Sequence, residues 1–481
     1  MTVDVVIAGN GVLGLSIAVA TALRDPALRI AVVGPTARPG SASAAAGAML
    51  NCFAEVTAHT SEKPAFQAKF ALAREAAPLW SGWLEQLKEA AGGSAVPVTS
   101  TRGTLVVLGA RVAQDGVRNM RAIRAAAAEY GEPLEEVDPY GIHFLEASPG
   151  DDPVDAFYLE DEGAVDARQV LAALEAAASG LGILHIPGDV ASLAIAGNSA
   201  AGVRLSSGRT VAAGAVVLAA GAATGRIIDQ LPVGMVQPML NGVGAALEAR
   251  RGRRAALPHV VRTPALVGGC GFHVVPLGND VEYLGASNLV YFDPPNGPRL
   301  GAVQALLTAF TTQFSRDFAV STVKRWHYGL RPITLDTFPL IGRSPMPGLF
   351  FATGTYRDGF HCSPAISRHL AGLLTDCTTD ESGPYALFAP GRKPIETMTV
   401  GEAAERFAEM RSVVAVERGM RLPYFIDAEL LVTAFRQQAK DSVDRLGSPV
   451  ALAPEVLAAV AKADGPRIRR VAAYLGAQAH C

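Results

Sequence analysis

The chain has 481 residues, of which 49% are hydrophobic and 18% charged, and its formal net charge is −3. This composition excludes a disordered chain, and the length predicts two or three folded units. The small net charge gives no electrostatic reason to expect nucleic acid or an anionic membrane as a partner. Five widely spaced cysteines without a C-x-x-C pair indicate neither a disulfide framework nor a metal site. Without an apolar run of about 20 residues or a visible signal peptide, the sequence predicts a cytoplasmic protein with no membrane partner.

The first 33 residues carry the pattern of a βαβ unit. An apolar run at 3–8 is typical of a buried parallel strand, and the sequence G-N-G-V-L-G at 9–14 leads into a helical stretch at 15–23 and a second strand at 29–33. In such a loop the first glycine permits the tight turn, the second lets a pyrophosphate approach, and the third lets helix and strand pack closely. The free N–H groups of the helix N-terminus favour phosphate. We therefore expect a dinucleotide at Gly9, Gly11, Val12, Leu13 and Gly14.

The end of the second strand lacks the acidic residue that usually holds the adenosine ribose of a dinucleotide. Gly34 stands there, and Thr36 and Arg38 are the candidates to replace the contact. Because a missing acid beside an arginine can also indicate NADP, the loop alone leaves FAD and a nicotinamide cofactor open.

Further elements follow in order. Residues 60–90 are helical in pattern, and Pro78 predicts a kink or two helices. Asp166 is a plausible N-cap for a helix at 167–178. The arginine cluster Arg250, Arg251, Arg253 and Arg254 is interpreted as a solvated helix end or loop. Strands are predicted at 103–108, 182–186, 202–205, 210–212, 215–219, 272–275 and 281–284, and beyond Pro394 only helices, at 403–418, 427–446 and 453–463.

Four segments in fixed order resemble the glycine oxidase and D-amino acid oxidase family of FAD-dependent oxidoreductases. They are a Ser/Ala/Gly-rich stretch at 41–50, Gly-Ala-Val-Asp at 163–166, a strand and glycine turn at 215–224, and a long C-terminal signature. That signature comprises Gly-Leu-Arg-Pro at 329–332, Phe-Pro-Leu-Ile-Gly at 338–342 and the turn at 348–359. The resemblance covers about residues 2–393 and does not extend to the C-terminal tail.

The resemblance implies an α/β plus α+β fold, in which a Rossmann-like FAD-binding domain is interleaved with a β-sheet substrate domain and followed by a C-terminal helical extension. We expect the FAD-binding domain at 1–90, 160–235 and 325–394, the substrate domain at 91–159 and 236–324, and the extension at 395–481. The extension is expected to cover the active-site face or to join subunits of a homo-oligomer.

The resemblance also implies FAD as the cofactor, bound non-covalently because no cysteine stands where relatives link their flavin. His361 and Cys362 lie beside the turn that is expected to face the flavin, and both also fit a purely structural role there. Beyond the glycine loop, the implied cofactor contacts are Ser41, Ser43, Ala44, Ala45, Gly47, Ala48, Met49, Val190, Ala220, Gly221, Arg331, Arg357, Asp358, Gly359, Phe360 and His361.

The activity implied is oxidation of the C–N bond of a small amino acid or N-substituted glycine-like carboxylate. A hydride passes to flavin N5, an imine leaves, and molecular oxygen is reduced to hydrogen peroxide. Arg331 is expected to anchor the substrate carboxylate with help from Arg357, unless Arg331 pairs with an acid such as Asp336.

Two positions of the expected substrate pocket depart from the family. His273 stands where tyrosine is common, and Asn288 stands where an apolar residue is common. Both add hydrogen-bonding groups, so we expect them to face the substrate and to favour a polar or N-substituted amino acid over glycine. His273 also fits a structural strand residue.

Three other functions stay open from the sequence. One is a flavin monooxygenase, although the turn at 354–359 fits the amine oxidase pattern better. Another is a binding module whose function lies in the helical tail, and the third is a dehydrogenase that passes electrons to an acceptor other than oxygen.

Overall fold

The computed structural model describes residues 1–110, 114–253, 255–265, 269–375, 383–417 and 428–479. Its strands, in chain order, are β1 Thr2–Ala8, β2 Ile30–Gly34, β3 Met49–Leu50, β4 Ser100–Gly109, β5 Leu134–Glu136, β6 Pro153–Val165, β7 Leu184–Pro187, β8 Val190–Ala196, β9 Ser199–Leu205, β10 Thr210–Leu218, β11 Met239–Arg250, β12 Val260–Arg262, β13 His273–Pro276, β14 Val281–Gly285, β15 Leu289–Tyr291, β16 Thr322–Thr334, β17 Leu340–Arg343 and β18 Leu349–Thr353. Its helices are α1 Val12–Arg24, α2 Pro64–Ala76, α3 Trp80–Ala91, α4 Gln114–Tyr130, α5 Ala167–Gly180, α6 Thr224–Ile228, α7 Leu300–Ala309, α8 Ser363–Thr375, α9 Pro384–Leu387, α10 Val400–Glu417, α11 Ala428–Asp444, α12 Pro454–Val460 and α13 Gly465–Ala479.

The first sheet is mainly parallel and runs in the order β17–β18–β10–β1–β2–β7, with the β8–β9 hairpin attached to β10. Strands β1, β2, β7, β10 and β18 are parallel, while β17 pairs antiparallel with β18. Helices α1, α5 and α8 pack together beside it. The carboxyl ends of β1 and β10 meet at one edge, which is where a doubly wound sheet binds its ligand.

The second sheet is mostly antiparallel, in the order β15–β11–β14–β13–β12–β4–β6–β3, with β16 paired along β11 and β5 along β6. Together the two sheets confirm the predicted fold class. The domain boundaries expected from the sequence stay a prediction, since β6 and β16 each run across one of them.

Most predicted elements are present, and the differences follow from what local pattern can detect. Pro78 does separate two helices, α2 and α3, and the Asp166 carboxylate caps α5 by accepting from the N–H groups of Arg168 and Gln169 at 2.8 and 3.2 Å. The two strands predicted at 210–212 and 215–219 form one strand, β10. Helices α4, α7 and α13 and the long strands β11 and β16 were not predicted. The predicted ends of helices 403–418 and 427–446, at Arg418 and Asp427, lie outside the described residues.

The C-terminal extension shares a hydrophobic core with the second sheet. Phe407, Leu452, Val456, Leu457 and Tyr474 of the extension are buried against the sheet residues Leu240, Val290 and Ile333, and against Leu335 and Tyr356. The extension is therefore helical, as predicted, and packs directly on the part of the fold that carries the Gly-Leu-Arg-Pro segment.

The arginine cluster is not wholly solvated. Arg251 is buried. Its Nε donates to Glu282 at 2.5 Å, and its guanidinium lies 3.9 Å from the Phe318 ring centre. Arg254 lies outside the described residues, as do Cys377 and Cys481, while the other three cysteines are buried and free. None of the helices in the described ranges is long and apolar enough to cross a membrane.

Candidate active site

The glycine loop between β1 and α1 forms the predicted strand–turn–helix. Gly9 has φ +120°, and a Cβ there would lie 2.3 Å from the Ala219 carbonyl oxygen at the end of β10. A Cβ on Gly14 would lie 1.9 Å from the Gly9 carbonyl oxygen, so both glycines are required for close packing. The Ser43 hydroxyl accepts from the Val12 N–H at 3.1 Å, which joins the Ser/Ala-rich stretch to the start of the helix.

Position 34 cannot carry an acidic side chain in this structure, because the Asn10 side chain fills the space. A Cβ on Gly34 would lie 2.3 Å from Asn10 Cγ, and Asn10 Nδ2 donates to the Pro35 carbonyl oxygen at 2.9 Å. Of the two candidates to replace the ribose contact, Arg38 lines the cavity described below and Thr36 does not. The Arg38 guanidinium is held by Glu175.

A cavity of about 790 Å³ begins at this loop and continues between the two sheets to Arg331 and Arg357. Small-molecule sites occupy about 300–1,000 Å³. The cavity is lined by the predicted residues Gly9, Gly11, Val12, Leu13, Ser41, Ser43, Ala45, Gly47, Ala48, Met49, Val190, Ala220, Gly221, His273, Arg331, Arg357, Asp358, Gly359, Phe360 and His361. Gly14, Ala44 and Asn288 do not line it: Gly14 packs on Gly9, and Ala44 packs in the helix core. An extended space bounded by a glycine turn and a helix N-terminus fits a dinucleotide.

Arg331 lies on β16 with its guanidinium against Gly244 of β11. Its Nη1 donates to the Ser287 carbonyl oxygen at 3.0 Å and to Asn288 Oδ1 at 3.3 Å. Within the described part of the chain, Nε and Nη2 have no hydrogen-bond partner and no carboxylate pairs with the side chain. Asp336 pairs instead with Arg392, at 2.9 Å, so the alternative pairing considered from the sequence is wrong.

Arg357 and Tyr356 occupy the turn after β18. Arg357 donates to the Gly269 carbonyl oxygen and its guanidinium lies 4.7 Å from the Tyr356 ring centre. Like Arg331, Arg357 has no carboxylate partner among the described residues. Tyr356 has φ +53°, a left-handed conformation that is unusual for a bulky residue, and residues in such strained conformations cluster at active sites and ligand-binding turns.

His273 is buried on β13 and its ring stacks on Tyr283, with 5.8 Å between ring centres. Burial, together with the positive charges of Arg262 and Arg331, lowers the pKa of His273 to about 3, so the imidazole is neutral. Its Nδ1 is buried without a hydrogen-bond partner. The other ring nitrogen, Nε2, adjoins the cavity, since it would lie 3.2 Å from a Cβ on the cavity-lining Gly47.

The turn at 358–362 is tied to the helices beneath it. His361 Nε2 lies 2.8 Å from the Ala73 carbonyl oxygen, and its own carbonyl accepts from Trp80 Nε1 at 2.8 Å. Burial raises the pKa of the Cys362 thiol, which keeps it protonated. Asp358 pairs with Lys69 at 2.8 Å. These contacts support the structural interpretation of His361 and Cys362.

A second cavity of about 200 Å³ adjoins the first at Tyr356, Arg357 and Asp358. Part of its wall is supplied by the C-terminal extension, through Ala453 and Glu455. The extension therefore reaches the candidate active site. In the described ranges no group of three or more His, Cys, Asp or Glu side chains is arranged to hold a metal ion.

The model of the DAO family, FAD dependent oxidoreductase, matches residues 4–373 of the chain. This protein belongs to that family. Its members depend on FAD, and the glycine loop and the cavity that begins at it fit such a cofactor. In this chain the glycine loop, the 41–49 stretch and the Gly221 turn would hold it. The family match ends before the C-terminal extension begins.

The chain is also similar to three individual proteins. It is 26% identical over 415 residues to the bifunctional protein ThiO/ThiG of Nostoc sp., which covers 83% of this chain but 56% of that protein, so the chain spans about half of that relative. It is 29% identical to the glycine oxidase of Geobacillus kaustophilus, over 77% of this chain and 92% of that protein. The fold matches the crystal structure of that glycine oxidase with a TM-score of 0.66, over 82% of this chain and 99% of the other, at 24% identity. It matches an iminodiacetate oxidase from Chelativorans sp. BNC1 equally well, with a TM-score of 0.66 at 21% identity, over 80% of this chain and 99% of that one.

Several residues of the site were not found from the sequence. The sequence pattern assigns no role to Asn10 or Gly244, and it places Tyr283 only within a predicted strand. Tyr356 lies within the turn at 348–359 of the C-terminal signature, so its position in the sequence could have indicated a place at the site. No sequence signal pointed to Glu455, because it reaches the site from an extension about 100 residues further along the chain.

Proposed function

We propose that this protein oxidises the C–N bond of a small amino acid or an N-substituted glycine, and that molecular oxygen takes up the electrons. The observation that carries the proposal is the state of Arg331. Its Nη1 is held by Ser287 and Asn288, while Nε and Nη2, the two donors that form a fork for a carboxylate, have no partner among the described residues. An amino acid carboxylate supplies the acceptors that this fork lacks.

The residues of the cavity bind and orient the substrate. Arg331 suits a carboxylate because its planar guanidinium donates two parallel hydrogen bonds and stays charged when partly buried. Arg357, a second guanidinium without a carboxylate partner, adds positive charge on the same cavity wall. Bound FAD supplies the acceptor for a hydride from the carbon that bears the amine. Holding that carbon in one orientation is the main task of the protein, so a separate general base is not required.

The preference among amines is proposed to depend on His273 and Asn288. The neutral His273 ring lines the cavity and places Nε2 beside Gly47, which favours a substrate that carries a hydrogen-bonding group. Asn288 does not line the cavity but holds Arg331, so it acts on the carboxylate end. A relative named glycine oxidase and a structural neighbour named iminodiacetate oxidase support glycine and N-carboxymethyl glycine as the first compounds to test.

The test is steady-state turnover of the purified holoprotein with glycine, N-alkyl glycines, iminodiacetate and small D- and L-amino acids. Oxygen uptake and hydrogen peroxide are measured in parallel. An oxidase consumes oxygen and releases peroxide in equal amounts. Reduction of an artificial dye without oxygen uptake would instead identify a dehydrogenase, and the absence of turnover with every carboxylate would refute the proposal.

A further inference from the structure

A line of hydrogen bonds connects the C-terminal extension to Arg331. Arg331 Nη1 donates to Asn288 Oδ1, Asn288 Nδ2 donates to the Tyr356 hydroxyl, and that hydroxyl donates to Glu455 Oε1 at 3.4 Å. Glu455 is the second residue of α12, and the neighbouring Val456 and Leu457 are buried in the core shared with the second sheet. Its position is therefore set by packing.

The direction of each hydrogen bond is determined by chemistry. A guanidinium can only donate, so the atom of Asn288 that faces Arg331 must be the amide oxygen. The amide nitrogen then faces Tyr356, whose oxygen must accept, and this leaves the phenolic proton for the carboxylate of Glu455. Burial, and then the charge of Glu455, raise the pKa of Tyr356, so the phenol keeps the proton that this arrangement needs.

The Glu455 carboxylate is available to accept the Tyr356 proton. The structure shows its hydrogen bond with Tyr356, and no cationic side chain forms an ion pair with it in the described part of the chain. It lines the second cavity, next to Tyr356 and Arg357. The match to the DAO family model ends at residue 373, so the segment that supplies Glu455 lies beyond the matched residues.

We propose that Glu455 is a positioning residue for the substrate carboxylate: through Tyr356 and Asn288 it orients the Arg331 guanidinium. This inference rests on the proposed function, in which Arg331 is the anchor. On this proposal the C-terminal extension is part of the active site. Its removal would weaken binding of the substrate carboxylate and leave the glycine loop in place.

The test compares Glu455→Ala, Glu455→Gln, Tyr356→Phe and the double variant Glu455→Ala/Tyr356→Phe, all as holoprotein. Loss of one neutral or charge-assisted hydrogen bond predicts a rise in KM for the amino acid of about three- to tenfold, with kcat changed by less than about twofold. Glu455→Gln keeps an acceptor oxygen and should restore most of the wild-type KM. Because both residues act through one line of contacts, the double variant should be no worse than Tyr356→Phe alone. Glu405→Ala, on the same extension but in an exposed pair with Arg436, is the matched control and should not change KM.

Multiplication of the two single effects in the double variant would overturn the inference, as would a Glu455→Gln variant as impaired as Glu455→Ala. Arg331→Ala, measured beside them, separates this failure from failure of the proposed function. If Arg331→Ala raises KM and Glu455→Ala does not, only the positioning role is wrong. If Arg331→Ala also leaves KM unchanged, the anchor itself is wrong.

Discussion

Replacing Arg331 by alanine should remove most of the selectivity for carboxylates. The wild-type guanidinium uses Nη1 to hold itself in place, against Ser287 and Asn288, and keeps Nε and Nη2 for the substrate. A hydrogen bond to a charged group contributes about 1.5–3 kcal/mol, so two of them contribute at least about 3 kcal/mol. Since each 1.4 kcal/mol is a factor of ten, kcat/KM should fall at least about a hundredfold. Arg331→Lys should recover little, because an ammonium cannot form the fork.

The assay is kcat/KM for an amino acid and for the matching amine that lacks the carboxylate. Arg331→Ala should reduce the value for the acid by the full factor and change the value for the amine little. FAD content, from the absorbance of the purified variant, controls for damage to the fold. Equal losses on acid and amine at normal FAD content would show that Arg331 has a structural role and would refute the reasoning.

Three further predictions follow from the same geometry. A Cβ at position 244 would lie 2.7 Å from both Nη1 and Nη2 of Arg331, so Gly244→Ala should displace the anchor and raise KM for the acid, about as Arg331→Lys does, without loss of FAD. His273→Tyr should shift the substrate ranking toward glycine or sarcosine, whereas Asn288→Met, which removes a hydrogen bond to Arg331, should raise KM for every carboxylate of the panel. An imidazole in the unfolded chain has a pKa near 6.5, whereas the pKa of His273 in the folded protein is about 3. Between these two pH values the unfolded state binds more protons, so the free energy of unfolding decreases as the pH falls from 6.5 to 3. Between pH 7 and pH 5 the free energy of unfolding of the wild type should decrease by about 2 kcal/mol through this residue. Urea unfolding at the two pH values should show a smaller decrease for His273→Gln than for the wild type.

Each of these has a clear contrary result. A Gly244→Ala protein with unchanged KM would mean that Arg331 moves aside without consequence. An unchanged substrate ranking would return His273 to the role of a structural strand residue. The same loss of stability at pH 5 in His273→Gln as in the wild type would show that other groups set the acid sensitivity, among them His369, whose pKa burial lowers to about 4.

Features that depend on neighbouring residues were predictable from the sequence. The tight turn at Gly9 and the cap at Asp166 each depend on a few consecutive residues, and both are present. The break at Pro78 is equally local, because a proline inside a helix lacks the N–H that the helix needs. The order of such elements was also enough to indicate the fold.

Features that depend on distant segments were not predictable. The partner of Asp336 proved to be Arg392 rather than Arg331, a choice that only the path of the chain decides. From the sequence, Gly34 indicates that the acidic ribose ligand is missing. In the structure the side chain of Asn10, 24 positions earlier, occupies the space that a side chain at position 34 would need. The contact of Glu455 with Tyr356 joins residues 99 positions apart. No periodicity or motif within one segment contains such information.

The central claim is that this DAO family protein takes a hydride from the carbon bearing the amine of a small carboxylate, and anaerobic mixing tests it most directly. The holoprotein is mixed without oxygen with each amino acid of the panel, with the matching hydroxy acid and with the matching amine. The visible absorbance of the oxidised flavin, which is lost on reduction, is followed. We expect bleaching of the flavin by at least one amine-bearing carboxylate, with no bleaching by the hydroxy acid and much slower bleaching by the simple amine. Bleaching by the hydroxy acid instead, or bleaching that is equally fast with and without the carboxylate, would contradict it.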